Sequence, residues 1–157
     1  MIRPIDAAAD ARSLAELEVR AWRWAYVDFV EDEDMITVED RMARWLSAPV
    51  DGAFAAEVEG RVVGVVEAGP DPGDAATGLI RGLNVEPAAQ GAGVGTALYE
   101  HARAELRAAG YAEAVLWIFD ANGHARGFFE RRGWAPDGAT GVTAAAPELR
   151  YRQNLGV

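Results

Sequence analysis

The residues best suited to chemistry lie in one turn, Gln90-Gly91-Ala92-Gly93-Val94-Gly95, where an apolar strand pattern meets a helical one. Glycine tolerates positive φ and lets a ligand approach the backbone closely. A helix N-terminus adds unpaired N–H groups and a partial positive charge. Together they make an anion site suited to a pyrophosphate. Two common nucleotide loops do not match. A Walker A loop requires Gly-Lys before Ser or Thr, and Gly95-Thr96 has no lysine before the threonine. The dinucleotide fingerprint is GxGxxG, whereas Gly91, Gly93 and Gly95 give GxGxG, placed after hairpins and not early in a doubly wound sheet. On the turn alone, a tight strand-to-helix connection with no ligand remains the alternative.

The elements that hold this turn follow from periodicity and caps. Ile2 to Ile5 reads as a first strand. Asp10 is placed to cap a helix running to about Phe29, with Leu14, Leu17, Ala21 and Ala25 on one face. Thr37-Val38-Glu39-Asp40 resembles a capping box and predicts a second helix over Val38 to Leu46. Ala53 to Val58 and Val62 to Ala68 flank Glu59-Gly60 as a hairpin, and Pro70 to Asp74 reads as a loop. Leu79 to Val85 is a strand stopped by Pro87. A helix follows from about Gly93 to Ala109, with Val94, Leu98, Ala102 and Leu106 as its buried stripe and Gly110 beyond its end. Ala114 to Phe119 is an apolar strand, Asn122 to Arg132 a helix ended by Gly133, and Pro147 to Leu155 a last strand. Hairpins followed by strand–helix–strand predict a mixed α/β sheet with helices on both faces. The helix from Gly93 then crosses over between two parallel strands.

Composition narrows the classes. The 157 residues fit a single domain over 1–157, with 50% hydrophobic and 25% charged residues. There is no cysteine, which excludes a disulfide framework, a thiolate zinc site and a thiol nucleophile. Two histidines, His101 and His124, are too few for a histidine-built metal site, so no metal is expected. The net charge of −10 argues against nucleic acid as a partner and against long-range attraction of an anionic cofactor. A phosphate ligand must then be held by locally aimed donors. No apolar run is long enough to span a bilayer, and Met1 to Asp6 lacks the apolar core of a signal peptide. No membrane partner is expected, and the default expectation is a cytoplasmic protein.

With these motifs in view, the sequence resembles the GNAT acetyltransferase superfamily. Gln90, Gly93 and Gly95 match its signature of Gln or Arg, two residues, Gly, one residue, then Gly or Ala. Leu83-Asn84-Val85-Glu86-Pro87 is similar to its strand and Pro turn. Leu116 to Asn122, Ala125, Phe128-Phe129-Glu130 and Gly133-Trp134 follow its second motif. Ala21 to Tyr26 is similar to its first helix and Glu148 to Tyr151 to its last strand. The resemblance implies a mostly antiparallel sheet of about seven strands, splayed as a V between the fourth and fifth, with about four helices. It implies that acetyl-coenzyme A binds with its pyrophosphate on the N–H groups of Gly91, Ala92, Gly93, Val94, Gly95 and Thr96, beside Gln90. Its pantetheine arm would pair with the backbone of Leu83, Asn84 and Val85 like an added strand. The Val85 N–H is then the donor that polarises the thioester carbonyl and stabilises the oxyanion. Asn122 matches the family's cofactor-contacting Asn and also suits an N-cap. The implied reaction is direct attack by the primary amine of a small molecule or peptide, in a ternary complex.

The expected proton chemistry is incomplete. The family's Tyr acid is replaced by Phe129, which the resemblance places against the cofactor but which has no proton to give. Positions that hold a catalytic Glu in some members carry Leu79 and Trp117. Glu67, at the end of a hairpin strand, is the candidate base, directly or through water. Its alternative is a solvated strand-end carboxylate. Tyr26 is a candidate donor to the thiolate or one face of an aromatic pair with Trp22. His124 is a candidate titrating group or an exposed helix-start residue. Glu31-Asp32-Glu33-Asp34 is a selector of cationic amines or a solvated loop, and Trp22, Tyr26 and Phe29 are an alternative apolar lining. Arg126, Arg131 and Arg132 suit the outer phosphate or a helix C-terminus. The missing Tyr keeps a second class open, an acyl-coenzyme A-binding protein that senses its ligand without turnover. Transfer of a longer acyl group, and assembly as a homodimer, also stay open.

Overall fold

Glu59 and Gly60 both take positive φ, 51° and 75°, the two-residue turn whose twist suits a hairpin. It joins β2 (Ala53–Val58) to β3 (Arg61–Asp71), and a second tight turn leads antiparallel into β4 (Asp74–Val85). The computed structural model describes residues 1–143 and 145–156. Before this meander come β1 (Ile2–Pro4), α1 (Ala7–Tyr26) and α2 (Val38–Ser47). After it come α3 (Val94–Ala108), β5 (Glu113–Phe119), α4 (Gly123–Glu130), β6 (Ala135–Val142) and β7 (Pro147–Asn154). Among the described residues, seven strands form one sheet in the order β1-β2-β3-β4-β5-β7-β6. All neighbours are antiparallel except β4 and β5, joined in parallel by the α3 crossover.

Strand alternation sorts the side chains into two layers. Ala53, Ala55 and Val65 pack under Leu14 and Leu17 of α1 and Trp45 of α2. Their neighbours Ala56 and Val66 face the other way, with Ile80, Leu116 and Ile118, against Leu98, Tyr99, Ala102 and Leu106 of α3 and Phe129 of α4. The expected stripe of α3 is therefore its buried face.

Four local expectations are corrected. The α1 cap is Asp6, whose carboxylate accepts from Ala9 N–H; Asp10 lies buried in the first turn. Helix α1 stops at Tyr26 and α4 at Glu130, each shorter than the apolar pattern suggested. The Pro70 to Asp74 loop shrinks to Pro72-Gly73, because β3 and β4 extend into it. Strand β6 has no apolar alternation to reveal it. It is an edge strand containing proline and glycine, with a register shift between Pro136 and Thr140, and among the described residues it pairs with β7 alone.

Asp10 ties β1 to α1. Arg3 donates to both its oxygens at 2.8 and 2.9 Å, and Asp6 N–H donates to it at 2.9 Å. The Arg3 guanidinium holds the Asp10 carboxyl below the usual carboxylate range, with burial opposing it. A depressed carboxylate pKa stabilises the fold above the ordinary value and ceases to do so as pH falls through the depressed one. Asp10→Ala is expected to cost about 2–3 kcal/mol at neutral pH. In urea unfolding, the gap from the parent chain should narrow below about pH 4.

Candidate active site

The site begins with an irregularity in β4. Val65 pairs with Asn84, but Glu67 pairs with Arg81, so Gly82 and Leu83 together oppose one residue of β3. This is a β-bulge, which bends its strand. Gly82 sits at φ 64°, and a Cβ there would lie 3.0 Å from Glu67 Oε2. The parallel ladder to β5 has the rungs Gly78–Ala114 and Leu79–Val115, and beyond them the strands part. Glu86 N–H donates to Val63 O at 2.8 Å. Antiparallel pairing alternates, so the N–H and C=O of Val85 point away from β3, into the V.

One cavity, of about 490 Å³, runs from this open edge to the glycine turn. Leu83, Asn84, Val85, Gln90, Gly91, Gly93, Gly95 and Thr96 line it. Gly91 and Gly93 both have φ 84°, Gly93 is the N-cap of α3, and a Cβ on either would meet nothing within 4 Å. The outer face of the turn is thus bare backbone over a helix N-terminus. The side chains of Ala92 and Val94 do not line the cavity; Val94 packs into the core. Arg131 and Arg132 flank it. Arg132 stacks over Phe128 at 3.6 Å and donates to Thr96 Oγ1 at 2.9 Å. Arg126 is engaged elsewhere, by Tyr151 OH at 2.9 Å and Asp120.

A second cavity, of about 410 Å³, lies on the α1–α2 face of the sheet. The two share Tyr26, Leu83, Asn84, Asn122, Ala125 and Phe129. Tyr26 is the hydroxyl at this junction. Asn122 Nδ2 donates to its oxygen at 3.3 Å, while Asn122 Oδ1 caps α4 through Ala125 N–H at 3.1 Å. Burial raises the Tyr26 pKa, so the phenol keeps its proton at neutral pH. Trp22 and Phe119 pack edge-on against its ring. Phe129 is buried among Tyr99, Phe128 and Trp134.

The second cavity is rich in charge. Glu67 is buried, not solvated, and its Oε1 meets Arg44 and, at 3.6 Å, Arg81. Glu18 of α1 is buried and accepts from Arg41 and from Trp45 Nε1. Burial raises the Glu18 pKa, against the pull of Arg41. On the β5–β7 wall, Glu148 pairs across from Phe119 and shows no side-chain partner among the described residues. Burial raises the Glu148 pKa. Glu31, Asp32 and Glu33 are exposed and line neither cavity. His124 is exposed and stacks edge-on with Trp24, 5.2 Å away.

The profile of the acetyltransferase (GNAT) family matches residues 13–134. The chain belongs to that family. Over 63 residues it is 44% identical to the mycothiol acetyltransferase of Beutenbergia cavernae, covering 40% of this chain and 21% of that relative. The chain thus spans about a fifth of the length of this curated relative. Its fold is that of PaiA N-acetyltransferase from Thermoplasma acidophilum, solved with coenzyme A, at a TM-score of 0.80, 15% identity and 98% coverage of both chains. It is also that of a ribosomal-protein-alanine N-acetyltransferase from Brucella melitensis, at TM-score 0.77 and 21% identity over 98% of this chain and 99% of the other.

Several residues of the second cavity had no reading from the sequence. Gly82 looked like one more strand glycine. Arg41, Arg44 and Arg81 lie on separate elements and converge only in the fold. Glu18 carried a signal, since it falls beside Leu14, Leu17 and Ala21 on the apolar stripe of α1. Gly82→Ala should strain the left-handed backbone and press on Glu67, costing about 1–2 kcal/mol. Thermal unfolding beside a Gly69→Ala control, where φ is ordinary and space is open, checks this.

Proposed function

We propose that this protein transfers the acetyl group of acetyl-coenzyme A to the primary amine of a small molecule or peptide, by direct attack in a ternary complex. The observation that carries the reading is the meeting of two cavities at the open edge of β4, one ending on a glycine turn and the other lined by titratable groups. The residues fit the cosubstrate. Bare backbone at Gly91 and Gly93, the α3 N-terminus, and Arg131 and Arg132 suit a pyrophosphate and its neighbouring phosphate. Acetyl-coenzyme A supplies the acyl group as an activated thioester.

The chain's own residues then have separable roles. The N–H groups from Gly91 to Thr96, with Gln90 beside them, hold phosphate. The backbone of Leu83, Asn84 and Val85 offers strand pairing, and Val85 N–H is the donor to the thioester carbonyl. Asn122 orients Tyr26, whose hydroxyl accepts from Asn122 and keeps its own hydrogen to donate. Tyr26 thereby takes over the proton donation for which Phe129 has no hydroxyl. Glu67, held by arginines, positions them. Glu148, half-buried and without a side-chain partner among the described residues, is the better proton acceptor.

Calorimetry is expected to show acetyl-coenzyme A binding, weakened at least about ten-fold by Gly93→Leu, which covers the bare turn. No binding at millimolar acetyl-coenzyme A sinks the proposal. Thiol release with an amine panel then separates transfer from sensing. The chain has no lysine, so self-acetylation of a lysine cannot mimic turnover. Binding without turnover on any amine would favour the sensing reading, which rests on Phe129.

Tyr26→Phe should lower kcat about 10²-fold with little change in acetyl-coenzyme A affinity. For Glu148 the base form is the active one, so kcat/KM should rise as pH climbs through a pKa above the ordinary carboxylate value. Glu148→Gln should flatten that limb, while Glu67→Gln should leave its position in place. The opposite pattern would return the base role to Glu67.

A further inference from the structure

The second cavity is positively charged on one wall of a strongly acidic protein. Arg41 and Arg44 reach it from α2 and Arg81 from β4, against Glu18 and Glu67 on the same side. Arg41 pairs with Glu18 and Arg44 with Glu67. That leaves Arg81, which only approaches at 3.6 Å the Glu67 oxygen that Arg44 already holds. Its side chain is 57% exposed, so its donors are accessible. Arg41 Nε is buried without a hydrogen-bond partner among the described residues, an unusual state for a donor. That N–H is out of a ligand's reach, whereas the surplus, accessible guanidinium of Arg81 on this wall suits an anion. Arginine's planar fork matches a carboxylate or a phosphate, and one surplus guanidinium balances the single charge of a carboxylate.

Position sets how far that anion lies from the reacting amine. Glu67 and Arg81 share a rung, and Arg81 alternates with Leu79, which shares a rung with Val115. Arg81, Trp117 and Glu148 thus face the same side of the sheet. Leu83, at the open edge of β4, is two residues beyond Arg81, less than about 7 Å along the strand. An amine at that edge and a carboxylate on Arg81 are then a few bonds apart. Glu148, on the opposite wall, complements the amine end.

Resting on the acetyltransferase reading of this cavity, we propose that the acceptor is an amino acid-sized molecule bearing both a primary amine and a carboxylate, with Arg81 as the residue that selects the carboxylate. This reverses the selectivity that the acidic run Glu31 to Asp34 suggested, since that run lines neither cavity.

The test compares the common L-amino acids with their carboxamides as acceptors, by thiol release and by calorimetry in the presence of coenzyme A. The expected result is at least a ten-fold preference in kcat/KM for the carboxylate over its amide. Arg81→Gln should collapse that preference toward unity through KM, and Arg81→Lys should restore part of it. Equal use of acid and amide by the parent chain, or an undiminished preference in Arg81→Gln, overturns the proposal. If no amine turns over, calorimetry decides. Carboxylate-dependent binding lost in Arg81→Gln upholds the site and removes transfer, whereas no such binding removes the site as well.

Discussion

The parting of β4 from β5 is the constraint on which the rest of the molecule depends. A parallel ladder that stops after Leu79–Val115 leaves the following backbone of β4 with one edge unmatched. Buried N–H and C=O groups require partners, and an open strand edge is ordinarily a liability. Here that edge is internal. Helices α1 and α4 and the start of α3 enclose it, and Tyr26 and Asn122 join across the gap. What would be an aggregation edge on a surface instead lines a cleft. The bulge at Gly82 serves the same end, because the extra residue turns the strand while β3 continues to pair with it.

Both cavities open on this gap, and they differ in how they manage charge. The glycine turn offers backbone dipoles, which act over the first turn of α3 and do not depend on the protein's net charge of −10. The second cavity uses ionised side chains. Glu18 is almost fully buried, and its desolvation is only partly offset by Arg41 and the Trp45 indole N–H. Buried pairs of this kind contribute little net stability and instead fix geometry. They hold α2 against α1 and aim Arg41 and Arg44 at the cavity. Trp45, fully buried beside them, supplies the apolar contact that seats the short α2.

Much of the first cavity was legible in the chain because its chemistry is local. Glycines at alternate positions before a helix determine a backbone conformation within a few residues, and Gly91 and Gly93 adopt it. Asn122 was readable as a cap for the same reason, and its side-chain oxygen does cap α4. The hairpin turn, the α3 stripe and the parallel crossover follow from short-range periodicity. Misreadings came where two local choices compete. Asp6 and Asp10 are both plausible caps, and only Arg3, arriving from β1, draws Asp10 into an ion pair. Strand β6 escaped notice because pairing with β7, not its own composition, makes it a strand.

The sequence by itself determined the family, the layered sheet, the glycine turn and the absence of a hydroxyl at Phe129. Tertiary structure decided where the Tyr26 hydroxyl lies and the charge of the second cavity. Tyr26 meets Asn122 from 96 residues away, and Glu67 meets Arg44 from 23 away. Such contacts depend on how helices lie across the sheet. No spacing along the chain encodes them, because side chains on separate elements become neighbours only when burial of the apolar faces sets those elements at fixed angles.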